Sequence, residues 1–253
     1  MKLLLVRHAE PDYSVDSLTQ KGWREAELLA ARLGALTDVE AVYVSPLGRA
    51  RDTAALTLRR LGMQAETLPW LAEFRGRTMD PDRQRMSCSW DFRPRRWKSQ
   101  PQLKSETEWL DAPLMQGSNV AEVWRETREG LDALLARHGY VHDGPVYRAE
   151  NNRRGTILCF CHYAIATAML AWLTEMPPVP LWQGLFMAPS SVTKLVTEER
   201  VKGEVIWRCE GYGDLSHLWA AGERPSTAGL FAEVYDGRDT TEPIEWAQKK
   251  EGR

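Results

Sequence analysis

An α/β fold is what this chain predicts: a three-layer α/β/α sandwich on a mainly parallel central sheet, with an inserted lid region. Three observations carry that expectation. The aliphatic runs at Leu3–Val6 and Thr156–Cys161 read as strands buried on both faces. Segments with apolar residues at helical spacing alternate with further strand-like runs, the pattern of βαβ units. The tract from about Arg75 to Gly117 breaks the alternation and is too long and too aromatic for an ordinary loop.

The elements follow in order. After the Glu10–Tyr13 loop, Ala26, Leu29, Ala30 and Leu33 repeat at helical spacing behind Thr19, a suitable N-cap. Gly34 and Asp38 stop that helix, and Ala41–Val44 reads as the second strand. Ser45-Pro46 then opens a helix running to about Leu61, with Ser45 as cap and Pro46 in the first turn. Gln64–Leu68 forms a short third strand, and Leu71-Ala72-Glu73 is expected to end another. A helix starts at Ser118-Asn119, where Asn119-x-x-Glu122 has the order of a capping box, and ends at His138-Gly139. His138 and His142 read as surface residues, and Asp143–Gly155 as a polar hairpin-like loop. The run Thr156–Cys161 leads through His162 into a helix from Ala164 to Leu173, and Ser190–Val196 pairs with Glu204–Glu210. His217 reads as structural, and residues 223–253 as a tail after a domain of residues 1–222.

Composition narrows the function. The 253 residues suffice for a substantial core. A net charge of −2 argues against wholesale nucleic-acid or anionic-membrane binding. Four cysteines without a second Cys/His pair at ligand spacing predict no structural metal site. No signal-peptide pattern and no apolar span of about 20 residues is visible, so a reduced, cytoplasmic protein is expected. Within Arg75–Lys98 eight basic residues face three acidic ones, interleaved with Trp90, Phe92 and Trp97. That mixture suits a lid over an anionic small molecule better than a nucleic-acid surface, with Arg93, Arg95 and Arg96 as candidate contacts.

The chemistry-bearing residues sit where strands stop. Ligands of open parallel sheets bind at the carboxyl ends of strands, and Arg7-His8 follows the first aliphatic run directly. A guanidinium suits phosphate or carboxylate, and a neutral imidazole can be base, ligand or nucleophile. Arg49 stands in the first turn of a helix, where the backbone adds its own attraction for anions. Glu73 offers a carboxyl for acid–base work, and His162 ends the second aliphatic run.

Taken together, Val6-Arg7-His8-Ala9-Glu10, Leu18-Thr19-x-x-Gly22, Ser45-Pro46-Leu47-Gly48-Arg49-Ala50-Arg51-Asp52-Thr53-Ala54, Leu71-Ala72-Glu73, Cys161-His162 and Pro189–Thr193 resemble the successive motifs of the histidine phosphatase superfamily, the phosphoglycerate mutase-like group. The resemblance spans most of Met1–Leu218. It implies that His8 is a nucleophile forming a phosphohistidine and that Arg7, Arg49 and His162 hold the phosphoryl oxygens. It further implies that Glu73 is the general acid and base, that Thr19 and Tyr163 join the phosphate contacts, and that no metal or other cofactor takes part. The partner implied is a small phosphorylated substrate, and a homodimer is compatible with the sequence. Two departures stand out: Tyr163-Ala164 replaces the family's frequent Gly-Gly, and Pro11-Asp12-Tyr13 interrupts the usual opening loop. A phosphatase is the expected activity, with phosphoglycerate mutase-type transfer and a catalytically silent phospho-ligand binder as alternatives.

Overall fold

The computed structural model describes residues 1–151, 153–235 and 237. Its strands are β1 (Lys2–Arg7), β2 (Pro11–Asp12), β3 (Ser17–Leu18), β4 (Val39–Val44), β5 (Glu66–Thr67), β6 (Arg77–Asp80), β7 (Arg85–Cys88), β8 (Tyr140–Asp143), β9 (Val146–Ala149), β10 (Thr156–Cys161), β11 (Val192–Val201) and β12 (Glu204–Asp214). The helices are α1 (Gln20–Leu33), α2 (Gly48–Leu61), α3 (Pro94–Lys98), α4 (Val120–Arg137), α5 (Tyr163–Thr174), α6 (Pro178–Gly184) and α7 (Ser216–Ala220).

Eight strands form one mixed sheet in the order β5-β4-β10-β1-β11-β12-β9-β8. Its half from β5 to β1 is parallel, and the rest is antiparallel. The alternation of side chains along β1 explains the layers. Leu4 and Val6 point to one face and pack with Leu29 and Leu33 of α1 and Ala50 and Ala54 of α2. Leu3 and Leu5 point to the other and pack in the core that α4 and α5 cover with Leu131, Leu134 and Ile165. The expected α/β sandwich is therefore present, its parallel pairing confined to the half of the sheet that carries the Arg7 and His162 strand ends. No helix of the described residues is long and apolar enough to cross a membrane.

Several local expectations are corrected. Ser45 and Pro46 precede α2 rather than opening it, because the helix begins at Gly48 with Leu47 as its non-helical flank. No strand ends at Glu73; a single 3₁₀ turn, Pro69–Leu71, leads to it instead. Asn119 flanks α4, but its Oδ1 accepts the Arg77 N–H at 2.7 Å and so ties the insertion to the helix instead of capping it. His138 is buried, bonded through Nε2 to the Tyr43 hydroxyl at 2.8 Å, and not a surface residue. Within the expected hairpin-like loop, Val146–Ala149 is a strand: β8 and β9 form a hairpin that extends the sheet edge.

The tract 75–117 folds as the β6–β7 hairpin, α3 and a series of 3₁₀ turns, with Phe92, Leu103 and Trp109 buried in the main core. Two of its arginines face their own segment. Arg83 binds Asp80 at 2.6 Å and Asp91 at 2.8 Å, and Arg96 binds Asp82 at 2.8 Å. Beyond α7, Arg224–Leu230 returns over α1 and β1: Lys21 donates to the Arg224 carbonyl and Ser226 to Glu10, both at 2.6 Å. The remainder of the expected tail, residue 236 and residues 238–253, lies outside the described residues.

Candidate active site

Parallel pairing sets Arg7 of β1 opposite Cys161 of β10, so the two strands stop side by side and release His8 and His162 next to each other. The His8 N–H donates to the Cys161 carbonyl at 3.0 Å, and the two rings lie 5.1 Å apart between centroids. β4 ends one strand over, where the Ser45 N–H donates to the Phe160 carbonyl at 2.9 Å. Three strand ends thus share one level.

His8 is 2% exposed. Its Nδ1 lies 2.7 Å from the Ala9 carbonyl oxygen, which can only accept, so Nδ1 carries the proton and Nε2 keeps its lone pair. Burial, reinforced by the charges of Arg7 and Arg49, holds the His8 imidazole well below its usual pKa and therefore neutral. Arg7, equally buried, donates through Nη1 to the Met187 carbonyl and through Nη2 to the Ala228 carbonyl at 3.4 Å. Its guanidinium also faces the rings of Phe186 at 5.5 Å and Tyr163 at 5.9 Å.

Arg49 comes from the first turn of α2. Its Nη1 donates to Asp16 Oδ1 at 2.6 Å, and the other Asp16 oxygen accepts the Gly48 N–H at 2.7 Å. Burial favours protonation of Asp16, but the Gly48 N–H and Arg49 prevail and keep the carboxyl below its ordinary range. A Cβ on Gly48 would come within 2.1 Å of the Asp16 carbonyl oxygen, so this approach requires glycine. Thr53 locks the same turn to the first strand: its hydroxyl donates to the Arg49 carbonyl at 2.7 Å and accepts the Ala9 N–H at 3.0 Å.

Glu73 Oε1 accepts backbone N–H groups from Phe74, Ala164 and Ile165 at 2.9, 3.0 and 3.1 Å. The last two belong to the open first turn of α5, which begins just after His162. Burial raises the Glu73 pKa, against these bonds and against the charges of Arg7 and Arg49. His162 is fully buried and kept neutral, first by burial and then by His8, Arg49 and Arg7.

Arg7, His8, Arg49, Glu73 and His162 are therefore gathered into one electrostatically coupled cluster. The side chains of two other expected contacts are engaged within the protein. The Thr19 hydroxyl donates to Glu10 Oε1 at 2.7 Å and accepts the Gly22 N–H at 3.0 Å, so it serves as the cap of α1. The Tyr163 hydroxyl donates to the Trp182 and Leu185 carbonyls, which turns its ring against Arg7. Sequence reasoning passed over Asp16, which carried no local signal, and Ala228, which is distant in the chain. Among the described residues no group of three His, Cys, Asp or Glu side chains is placed to hold a metal ion.

Known proteins share this arrangement at the level of fold. A mycobacterial hydrolase is 22% identical, with 84% of this chain and 98% of that chain covered at a TM-score of 0.57. A mutant phosphoserine phosphatase from Entamoeba histolytica, in complex with phosphoserine, is 17% identical over 86% and 98% at a TM-score of 0.58. A mycobacterial glucosyl-3-phosphoglycerate phosphatase is 20% identical over 84% and 98% at a TM-score of 0.57. A search of curated proteins finds no match. The model of the histidine phosphatase superfamily (branch 1) matches residues 3–210, and with the motifs in their expected order the chain belongs to that superfamily.

Proposed function

We propose that this protein is a phosphomonoesterase that hydrolyses a small phosphate ester through a phosphohistidine on His8. The observation that carries the reading is the Nδ1 contact of His8 with the Ala9 carbonyl, which leaves Nε2 as an unprotonated nucleophile beside two guanidiniums. In the first half-reaction Nε2 attacks phosphorus, the N–P bond forms and the P–O ester bond breaks. Arg7, Arg49 and His162 take the charge that spreads over the phosphoryl oxygens. The protonated carboxyl of Glu73 gives its proton to the leaving oxygen. In the second, Glu73 accepts a proton from water, whose oxygen attacks phosphorus and releases phosphate and free His8.

Water as the acceptor is preferred to a mutase-type transfer because a mutase needs a second anion cluster to retain its intermediate. Arg83 and Arg96 of the insertion are engaged by Asp80, Asp91 and Asp82, so these two cations are already neutralised. The phosphoserine and glucosyl-3-phosphoglycerate phosphatases of the same fold make their named substrates sensible members of a test panel.

The test is phosphate release from p-nitrophenyl phosphate, phosphoserine and sugar, glycerate and nucleoside phosphates in EDTA, by the wild type and His8→Ala. Chelator-resistant release that vanishes in the variant is expected. Isomerisation of a phosphoglycerate without release would establish the mutase instead, and undiminished release by His8→Ala would remove His8 from the chemistry.

A further inference from the structure

Ser45 is fully buried and so is the His162 ring it touches: Ser45 Oγ lies 2.7 Å from His162 Nε2. The hydroxyl oxygen already accepts the Leu47 N–H at 3.2 Å, and the Ser45 backbone N–H is fixed on the Phe160 carbonyl. Accepting from Leu47 leaves the hydroxyl proton to be placed, and Nε2 is the acceptor within reach. A neutral imidazole has one N–H, so an accepting Nε2 puts that proton on Nδ1. Nδ1 is buried and has no hydrogen-bond partner among the described residues. It belongs to a ring 5.1 Å from that of His8, in the field of Arg7 and Arg49. A lone pair at that position would repel an anion, whereas an N–H completes the set of donors for it.

We propose that Ser45 is a positioning residue which fixes His162 as the neutral Nδ1–H tautomer, so that Nδ1–H is offered to an oxygen of the bound phosphoryl group. The nature of the anion rests on the phosphatase reading; the tautomer does not. Burial keeps the ring uncharged, which makes the choice of tautomer the property that the protein has to control. Ser45 thereby does for His162 what the Ala9 carbonyl does for His8: both rings hold the proton on Nδ1, but the partners grip opposite nitrogens, so opposite groups are presented. The carbonyl accepts, so His8 keeps its proton on Nδ1 and attacks with Nε2; the hydroxyl donates to Nε2, so His162 presents Nδ1–H.

The experiment is nitrogen-15 NMR of histidine-labelled protein, with and without inorganic phosphate, for the wild type, Ser45→Ala and Ser45→Thr, alongside kcat/KM. In the wild type, His162 should show a protonated Nδ1 and a bare Nε2, with the Nδ1 signal moving when phosphate is added. In Ser45→Ala the tautomers should mix and kcat/KM should fall about tenfold, the worth of one neutral hydrogen bond. Ser45→Thr keeps the hydroxyl and should recover most of both. A wild-type His162 protonated on Nε2 overturns the proposal without reference to any variant, as does an unchanged tautomer in Ser45→Ala. If the tautomer depends on Ser45 but no phosphate ester is hydrolysed, the assignment of Ser45 stands and the phosphatase reading fails.

Discussion

Glu73 is the residue at which acid–base chemistry can be separated from binding. Its Oε1 holds three backbone N–H groups, and a glutamine oxygen could keep them, so Glu73→Gln should preserve the site's shape while deleting the transferable proton. General acid catalysis contributes about 10²–10⁴-fold, and the loss should scale with how badly the leaving oxygen needs a proton. Phosphoserine hydrolysis should therefore fall steeply in Glu73→Gln and p-nitrophenyl phosphate hydrolysis much less; equal losses on both would remove Glu73 from the acid role. Because burial raises the Glu73 pKa, the acid form survives above the ordinary glutamate range, and the wild-type rate with phosphoserine should decline as pH rises through that shifted value. At this scale the sequence was informative wherever a residue stands at the end of an aliphatic run. Arg7, His8 and His162 were legible because the strand pattern placed them. Glu73 reached the cluster without a strand, through bonds to the start of α5 that no local spacing announces. Asp16 and Ser45 acquire their roles from partners 33 and 117 positions away, beyond any pattern of neighbours.

Among the elements, the β6–β7 insertion shows how little a charge count says about pairing. Its excess of arginine suggests an anion-binding lid; of those arginines, Arg83 is folded into a carboxylate pocket and 8% exposed, with Asp80 at 4%. Removing one partner of such a buried group leaves the carboxylates without their counter-charge and costs about 3–5 kcal/mol. Arg83→Met should therefore loosen the hairpin, read as faster proteolysis and hydrogen exchange across Arg77–Lys98. Arg96→Met is the control, since its pair with Asp82 is solvent-exposed and such pairs contribute little. Equal protection in Arg83→Met and the wild type would mean that aromatic packing by Phe92 and Trp109 alone holds the insertion. Charge counting cannot distinguish paired from presented cations; the pairing depends on the hairpin turn that brings Asp80, Arg83 and Asp91 together. The helices were easier to read. Thr19 caps α1 as expected because the cap is a local contact across three residues, whereas α2 starts late because Asp16, from another loop, supplies the oxygen for its first turn.

Over the whole molecule, the buried ionisable groups set opposing pH dependences whose balance can be worked out. His8, His138, His162 and His217 all have folded-state pKa values below the free value of 6.5, His217 at about 4, with burial the largest cause in each. Below about pH 6.5 the unfolded chain takes up protons at these four sites and the folded chain does not, so their linkage makes stability fall as pH falls. Glu25 has the opposite sign. It is fully buried on α1, where Oε2 accepts the Glu10 N–H at 2.9 Å, and burial raises its pKa from 4.5 to about 7. Between those values the folded state holds a proton that the unfolded state has released, so Glu25 makes stability fall as pH rises. Glu73 and Asp91, also raised chiefly by burial, act in the same sense. Four imidazoles oppose three carboxyls, and the lowered carboxyls of Asp16, Asp38 and Asp214 side with the imidazoles as pH drops further. The melting temperature should therefore fall between pH 6.5 and pH 5. Glu25→Gln isolates the opposing contribution, because glutamine carries no charge into the buried site at any pH. The difference in melting temperature between Glu25→Gln and the wild type should grow more positive from pH 5 to about pH 7, changing most steeply between 4.5 and 7 and levelling off above. A difference independent of pH would mean that Glu25 titrates alike in the folded and unfolded chains. The same residue faces Glu10, whose carboxylate accepts from Thr19 and Ser226, and Lys21, whose charge favours ionisation of Glu25. Ionising Glu25 thus sets a second negative charge beside the one that ties Arg224–Leu230 to the loop after β1, and the loss of stability as pH rises toward 7 should be concentrated there. Hydrogen exchange at Ala228, whose N–H donates to the Ser226 hydroxyl, should accelerate between pH 5 and pH 7 by more than the intrinsic chemical rate in the wild type, and by the intrinsic rate alone in Glu25→Gln.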